Sequence, residues 1–191
     1  MKHLLALSFS LIFFATGCSG PIVHKQIQNE NSHLLGVLLK WDDFGVDWKW
    51  KDVYIDQRFQ PADQKVNADG VIEQASTMLI GNFQDDDVRL YFRVFQYDGS
   101  ASAKTLQNNI VPPSGDFILL RPKLPLLGEN QYSMCDQSVF LVECRMVFVY
   151  RDKGFSFTVF TTSSWSVVDL EKNLSGPLEK FKKRIAPLLD Q

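Results

Sequence analysis

The sequence predicts an α+β fold: an antiparallel sheet of five to six strands, two or three helices packed on one face, and an amphipathic helix closing the chain. Three observations predict it. Apolar and polar residues alternate through Val88–Phe95 and again through Phe140–Tyr150, the period-two signature of strands. Arg151-Asp152-Lys153-Gly154 carries turn chemistry, with Gly154 free to take positive φ, so Phe155–Thr162 is expected to return as a hairpin. Leu174, Leu178, Phe181, Ile185 and Leu188 fall at spacings of four, three, four and three, which is one face of a helix.

The chain opens with a different element. Lys2 and His3 precede an apolar run from Leu4 to Ala15, followed by small residues, the layout of an export signal over residues 1–17. A spanning helix needs roughly 20 apolar residues, so this run reads as a removable signal and not as a permanent anchor. Its end, Ala15-Thr16-Gly17-Cys18, resembles the lipobox of the bacterial lipoproteins, with Ala15 in place of the usual leucine. The resemblance implies a diacylglyceryl thioether on Cys18 and an acylated amine. Each buried methylene contributes about 0.8 kcal/mol and a single chain holds only marginally, so two or three chains would anchor the protein stably. In that family an aspartate after the cysteine favours inner-membrane retention; Ser19 is not one, so the resemblance implies a periplasm-facing anchor on the outer membrane of a Gram-negative bacterium. Ordinary secretion, with Ala15-Thr16-Gly17 as a small-x-small cleavage site, is the other reading.

Residues 18–32 are polar with few apolar anchors and read as a lipidated tether, its fourteen residues after Cys18 spanning roughly 20 Å. Residues 33–191, 159 in all, suit one domain with a sizeable core. Loss of the signal moves the formal charge from −2 to −3, because Lys2 is removed and no acid is. That balance gives no footprint for nucleic acid.

Within the domain, Leu34–Trp41 and Asp47–Asp56 are strand candidates, and Asp116–Leu120 is a shorter one bounded by Pro113 and Pro122. Asn67 or Asp69 can cap a helix through Val71, Ile72, Ala75, Met78 and Leu79, with Gly81 just past its end. A short helix is expected over Ser102–Asn109. In the closing helix Pro177 suits the first turn and Pro187 disturbs the last.

The chemistry legible in the chain is sparse. His3, His24 and His33 all lie in the signal, the tether or its end, so the body of the domain offers no imidazole for a Ser/His/Asp or Cys/His triad. No phosphate loop, dinucleotide fingerprint or EF-hand spacing appears, and no cofactor or metal site is expected. Cys135 and Cys144 supply only two of the four ligands zinc prefers, so in an oxidising compartment they read as a disulfide; a buried Cys144 beside an unpaired Cys135 is the alternative. Asp85-Asp86-Asp87 reads as a solvated turn, and Glu143 with Arg145 as a solvated pair on one strand face.

Two stretches are candidates for partner contact. Trp48 and Trp50 share a strand face, where they either complete the core or form a binding surface. Leu119–Leu127 is apolar but broken by prolines, so Leu124 and Leu126 belong either to a packed loop or to a docking strip. The basic residues Lys180, Lys182, Lys183 and Arg184 read chiefly as a solubilising helix face. Three functions are compatible with all this. The first is a non-catalytic accessory or docking lipoprotein of an envelope complex in transport, secretion or outer-membrane assembly, with a protein partner. The second is a carrier of a lipid or other apolar ligand, which residues such as Phe92, Phe140 and Phe148 could line. The third is a hydrolase using two carboxylates.

Overall fold

A computed structural model describes residues 20–59, 70–99, 118–120, 122–137, 141–162 and 165–189. Eight strands form one sheet in the order β1-β2-β3-β4-β8-β7-β6-β5. They are β1 (Ile22–Ile27), β2 (Trp48–Phe59), β3 (Val71–Phe83), β4 (Asp86–Tyr97), β5 (Ile118–Leu120), β6 (Glu129–Gln137), β7 (Leu141–Tyr150) and β8 (Lys153–Thr162). β1 runs parallel to β2 and every other pairing is antiparallel. A four-residue helix α1 (His33–Gly36), a 3₁₀ turn (Trp41–Asp43) and a long closing helix α2 (Val167–Leu189) complete the described chain.

This architecture overturns the predicted one. The sheet is larger than five or six strands and mixed, and among the described residues a single long helix packs on it where two or three were expected. The largest error is the helix drawn through Val71–Leu79, which is β3. Along it Glu73, Ala75, Thr77, Leu79, Gly81 and Phe83 are buried, while Ile72, Gln74, Ser76, Met78 and Ile80 are half-buried. The inward set contains Glu73 and Thr77 and the outward set contains Met78 and Ile80, so the period-two pattern is concealed. Glu73 can face inward because Gln57 Nε2 donates to it at 2.8 Å and Ser32 Oγ donates to the same oxygen. Leu34–Trp41, predicted as a strand, is α1 and the coil leading into the 3₁₀ turn, with Ser32 Oγ capping Leu34 N at 3.2 Å. The helix expected at 102–109 lies outside the described residues.

The domain boundary moves as well. Residues 22–27, assigned by composition to a tether, are β1, in register from Ile22 opposite Asp52 to Ile27 opposite Gln57. The link continues past the strand: Gln28 N and Asn29 N both donate to the buried Gln57 Oε1, at 2.9 and 2.8 Å. The folded unit therefore includes Ile22–Ile27, ahead of residue 33.

Gly81 was expected just past a helix end with freedom of φ. It sits instead in β3, opposite Trp50, where a Cβ would lie 2.3 Å from Lys49 O and 2.8 Å from Trp50 Cα. Beside this contact the β2–β3 register shifts between Trp50 and Asp52. The extra residue, Lys51, lets Trp48, Trp50 and Val53 all face inward. At the β7–β8 hairpin the positive φ belongs to Arg151 (54°), and Gly154 pairs in β8 with Val149. Gln84 (49°) and Asp85 (71°) make the two-residue β3–β4 turn.

The core lies between one sheet face and α2. Leu170, Leu174, Leu178, Phe181, Ile185 and Leu189 of the helix are buried with Phe92, Phe155, Phe157 and Leu90 of the sheet. Phe181 meets Phe92 edge-on at 5.0 Å, and Phe148 stacks on Phe155 at 4.5 Å. The helix begins earlier than its apolar spacing suggested, through a reciprocal cap: Asp169 N donates to Ser166 Oγ while Ser166 N donates to Asp169 Oδ2. The Ser166 hydroxyl, which donates to Asp169 Oδ2 at 2.6 Å, and then the Ser166 backbone N–H hold the Asp169 carboxyl below its usual range. Pro177 thus falls mid-helix, tolerated because the buried stripe continues across it. Arg184 locks the C-terminal half onto the 3₁₀ turn, with Nε and Nη2 donating to Asp43 at 2.9 and 2.7 Å and Nη1 and Nη2 donating to the carbonyls of Gly36 and Leu38.

Candidate functional site

Side chains alternate across a strand, so residues pointing inward fix which ones point out. The pairing registers align the outward residues of seven strands into three rows. The first runs Ile22, Asp52, Ile80, Arg89, Phe160, Glu143, Asp136. The second runs His24, Tyr54, Met78, Tyr91, Thr158, Arg145, Met134, and the third Gln26, Asp56, Ser76, Arg93, Ser156, Val147, Tyr132. Among the described residues no helix packs on this face. A cavity of about 820 Å³ opens over β4, β8 and β7, lined by Arg89, Tyr91, Arg93, Arg145, Thr158 and Phe160 among others.

The groove combines an aromatic floor with charge. Tyr91 meets Phe160 edge-on at 5.9 Å across the β4–β8 diagonal, and both are half-buried. Farther toward β1, His24 stacks on Tyr54 at 4.5 Å and contacts Asp52 Oδ1 at 3.2 Å. The acids of these rows are largely committed. Asp56 pairs with Arg58 at 2.9 Å, Asp87 at the groove's end accepts from Asn82 Nδ2 at 2.7 Å, and Glu143 pairs with Arg145 at 2.5 Å. Arg89 and Arg93 are exposed and make no ion pair among the described residues.

At the far side Asp136 stands opposite Glu143 across β6–β7. Asp136 is 7% exposed and its Oδ1 finds no hydrogen-bond partner among the described residues. Burial, then the neighbouring Glu143 charge, raise its pKa against the lowering pull of Arg145. The hydrogen bond that Arg145 Nε donates to Glu143 raises the arginine pKa. Two carboxyls are thus adjacent, but they sit on neighbouring strands of one wall, with Glu143 held by arginine. A glycosidase pair instead faces across a cleft from either side of the scissile bond. Among the described residues no three His, Cys, Asp or Glu side chains gather as a metal-binding group.

The residues singled out from sequence are distributed differently. Trp48 and Trp50, 7% and 8% exposed, belong to the core. They stack at 5.3 Å inside an aromatic cluster with Phe44, Phe83 and Trp165, so they are withdrawn as docking residues. Trp165 Nε1 donates to Asp86 at 2.9 Å, as does Thr162 Oγ1 at 3.0 Å, which ties the supposed solvated turn to the start of α2. Leu124 packs against the core while Leu126 is 68% exposed. Cys135 and Cys144 face one another in the β6–β7 ladder and are disulfide-bonded. Cys18 lies outside the described residues, as does Phe140. Sequence reasoning placed Arg89, Tyr91 and Arg93 on one strand face but gave them no role; two arginines flanking a tyrosine at period two was the available signal.

No protein-family model matches the chain, and no curated protein does. Among solved structures the chain is similar to the extracellular domain of PknH from Mycobacterium tuberculosis, at a TM-score of 0.50 and 7% sequence identity over 83% of this chain and 95% of that one. At that identity the likeness concerns the fold alone. No helix among the described residues is long and apolar enough to cross a membrane.

Proposed function

We propose that the chain is a lipid-anchored, non-catalytic docking subunit of a bacterial envelope complex, held at the periplasmic side of the outer membrane through Cys18. The partner is received on the face of the sheet opposite α2, over β4, β8 and β7. One observation carries this reading: a sheet closed on one side by α2 leaves, on the other, a groove of about 820 Å³ floored by Tyr91 and Phe160. Aromatic and arginine side chains are the ones enriched where proteins bind one another. The short leash adds to it. With β1 starting at Ile22, three residues lie between Cys18 and the sheet, a reach of at most about 14 Å over four residue steps, against about 54 Å over the fifteen steps that a tether of fourteen residues would give. Such a domain works close beside its membrane.

A carrier of an apolar ligand is the second reading, and a smaller cavity favours it. About 380 Å³ opens beside β1, lined by Val23, Ile27, Leu35, Leu38, Val53 and Ile55 with Lys25 and Lys40 at its margin. The aromatic residues once considered as a lining do not serve it, since Phe92 and Phe148 are fully packed in the core.

The test is purification of the full-length protein from its own envelope in mild detergent, with the mass of the N-terminal peptide determined. The reading expects acylated Cys18 and a stoichiometric protein partner. Thr158→Trp, which fills the groove, is expected to lose that partner at unchanged melting temperature, and Val168→Trp, on the 69%-exposed solvent side of α2, to keep it. A partner that tolerates Thr158→Trp defeats the docking reading, and an extracted lipid without a partner transfers the case to the carrier.

A further inference from the structure

We infer that the groove takes an acidic polypeptide segment in extended form, held by Arg89 and Arg93 on either side of Tyr91. This rests on the docking reading above and names the chemistry of the partner. Arg89 and Arg93 make no ion pair among the described residues. Asp56 has Arg58 and Glu143 has Arg145 as ion-pair partners, whereas Asp52 meets His24 and Asp87 accepts from the neutral amide of Asn82, contacts that orient these two carboxylates. Asp136 is buried, and its surroundings favour its neutral form. The exposed guanidinium groups of Arg89 and Arg93 are therefore the cations of the groove that no described carboxylate holds.

Their placement sets the geometry of the partner. Arg89 and Arg93 are four residues apart on one strand face, about 13 Å at the strand rise. A second extended chain laid along β4 repeats the same rise, so carboxylates four residues apart meet both guanidinium groups. The side chain midway between them falls over Tyr91, where an aromatic or aliphatic group gains contact with the Tyr91–Phe160 pair. Thr158 and Ser156, on the adjacent strand, present hydroxyls at the groove floor for the peptide backbone. An anionic membrane surface is the competing occupant. A flat headgroup layer would leave the half-buried floor between the strands unfilled.

The probe is a fluorescent ten-residue peptide with glutamates four residues apart and a central phenylalanine. Lysine and glutamine versions serve as comparisons, all titrated against the full-length protein in dodecyl maltoside. The glutamate peptide is expected to bind best and to weaken with salt. Arg89→Ala or Arg93→Ala should each weaken it about three- to fivefold, as exposed ion pairs do. Because both arginines are exposed, Arg89→Glu/Arg93→Glu should keep the melting temperature and exchange the preference to the lysine peptide. Equal binding of the three peptides, no binding of any, or indifference to the arginine variants overturns the inference. Displacement of the glutamate peptide by phosphatidylglycerol added to the micelles also overturns it, reassigning the arginines to lipid. If Thr158→Trp still releases the native partner in those cases, the docking reading survives and only its acidic chemistry falls.

Discussion

Replacing Trp48 by alanine separates core from surface at the most unusual composition in the chain. Trp48 is 7% exposed and touches four rings, at 5.3 Å from Trp50, 4.6 Å from Phe83, 4.9 Å from Phe44 and 6.0 Å from Trp165. Removing a tryptophan so enclosed forfeits its transfer energy and leaves a cavity that backbone strands cannot collapse around, a cost of about 3–5 kcal/mol. For a fold of this length each kcal/mol lowers Tm by about 2–4 °C, so the fall is about 6–20 °C. Calorimetry reads the shift, and near-ultraviolet circular dichroism reads the loss of the stacked Trp48–Trp50 pair. A variant within about 2 °C of the parent, the range of ordinary surface substitutions, refutes the packing argument and returns Trp48 to the surface.

Three further outcomes are expected. Gly81→Ala forces a Cβ against Lys49 O and Trp50 Cα, both backbone, and should cost about 1–3 kcal/mol in urea denaturation; an unchanged midpoint contradicts the close approach. Asp136 has a pKa raised on folding, so its carboxylate weakens the fold as pH rises from the unfolded value through the folded one. Asp136→Asn, able to donate to Glu143 opposite, should therefore be more stable than the parent at pH 7, with the gap narrowing as pH falls through the folded value; a less stable variant at pH 7 contradicts this. Reducing Cys135–Cys144, which are nine residues apart, should lower stability by about 2.5–3 kcal/mol in the chain-entropy model, and identical denaturation with and without reductant argues against it.

How much of this was legible depended on whether each face was chemically uniform. β4 and β7 show clean alternation because their inner residues, such as Leu90, Phe92, Val142 and Met146, are apolar throughout, and α2 shows its stripe for the same reason. β3 mixes Glu73 and Thr77 inward with Met78 and Ile80 outward, so a helical spacing fitted it better than its own period. β1 is nearly all exposed at a sheet edge and bonds through backbone, which leaves no apolar signature to distinguish it from a tether. The groove was half visible. Strand alternation set Arg89, Tyr91 and Arg93 on one face and Glu143 beside Arg145, whereas the pairing of Asp52 with His24 and the placing of Thr158 and Ser156 beside Tyr91 and Arg93 are cross-strand properties that only the register reveals.

The account stands most directly on where the partner touches. A photo-activatable phenylalanine analogue at Thr158, in the groove on the face opposite α2, should yield on irradiation of intact cells one adduct of defined mass, absent when Arg89 and Arg93 are both reversed to glutamate. The same analogue at Val168, on the solvent side of α2, should yield none. An adduct at Val168 with none at Thr158 would place the partner on the wrong side of the molecule and contradict the account.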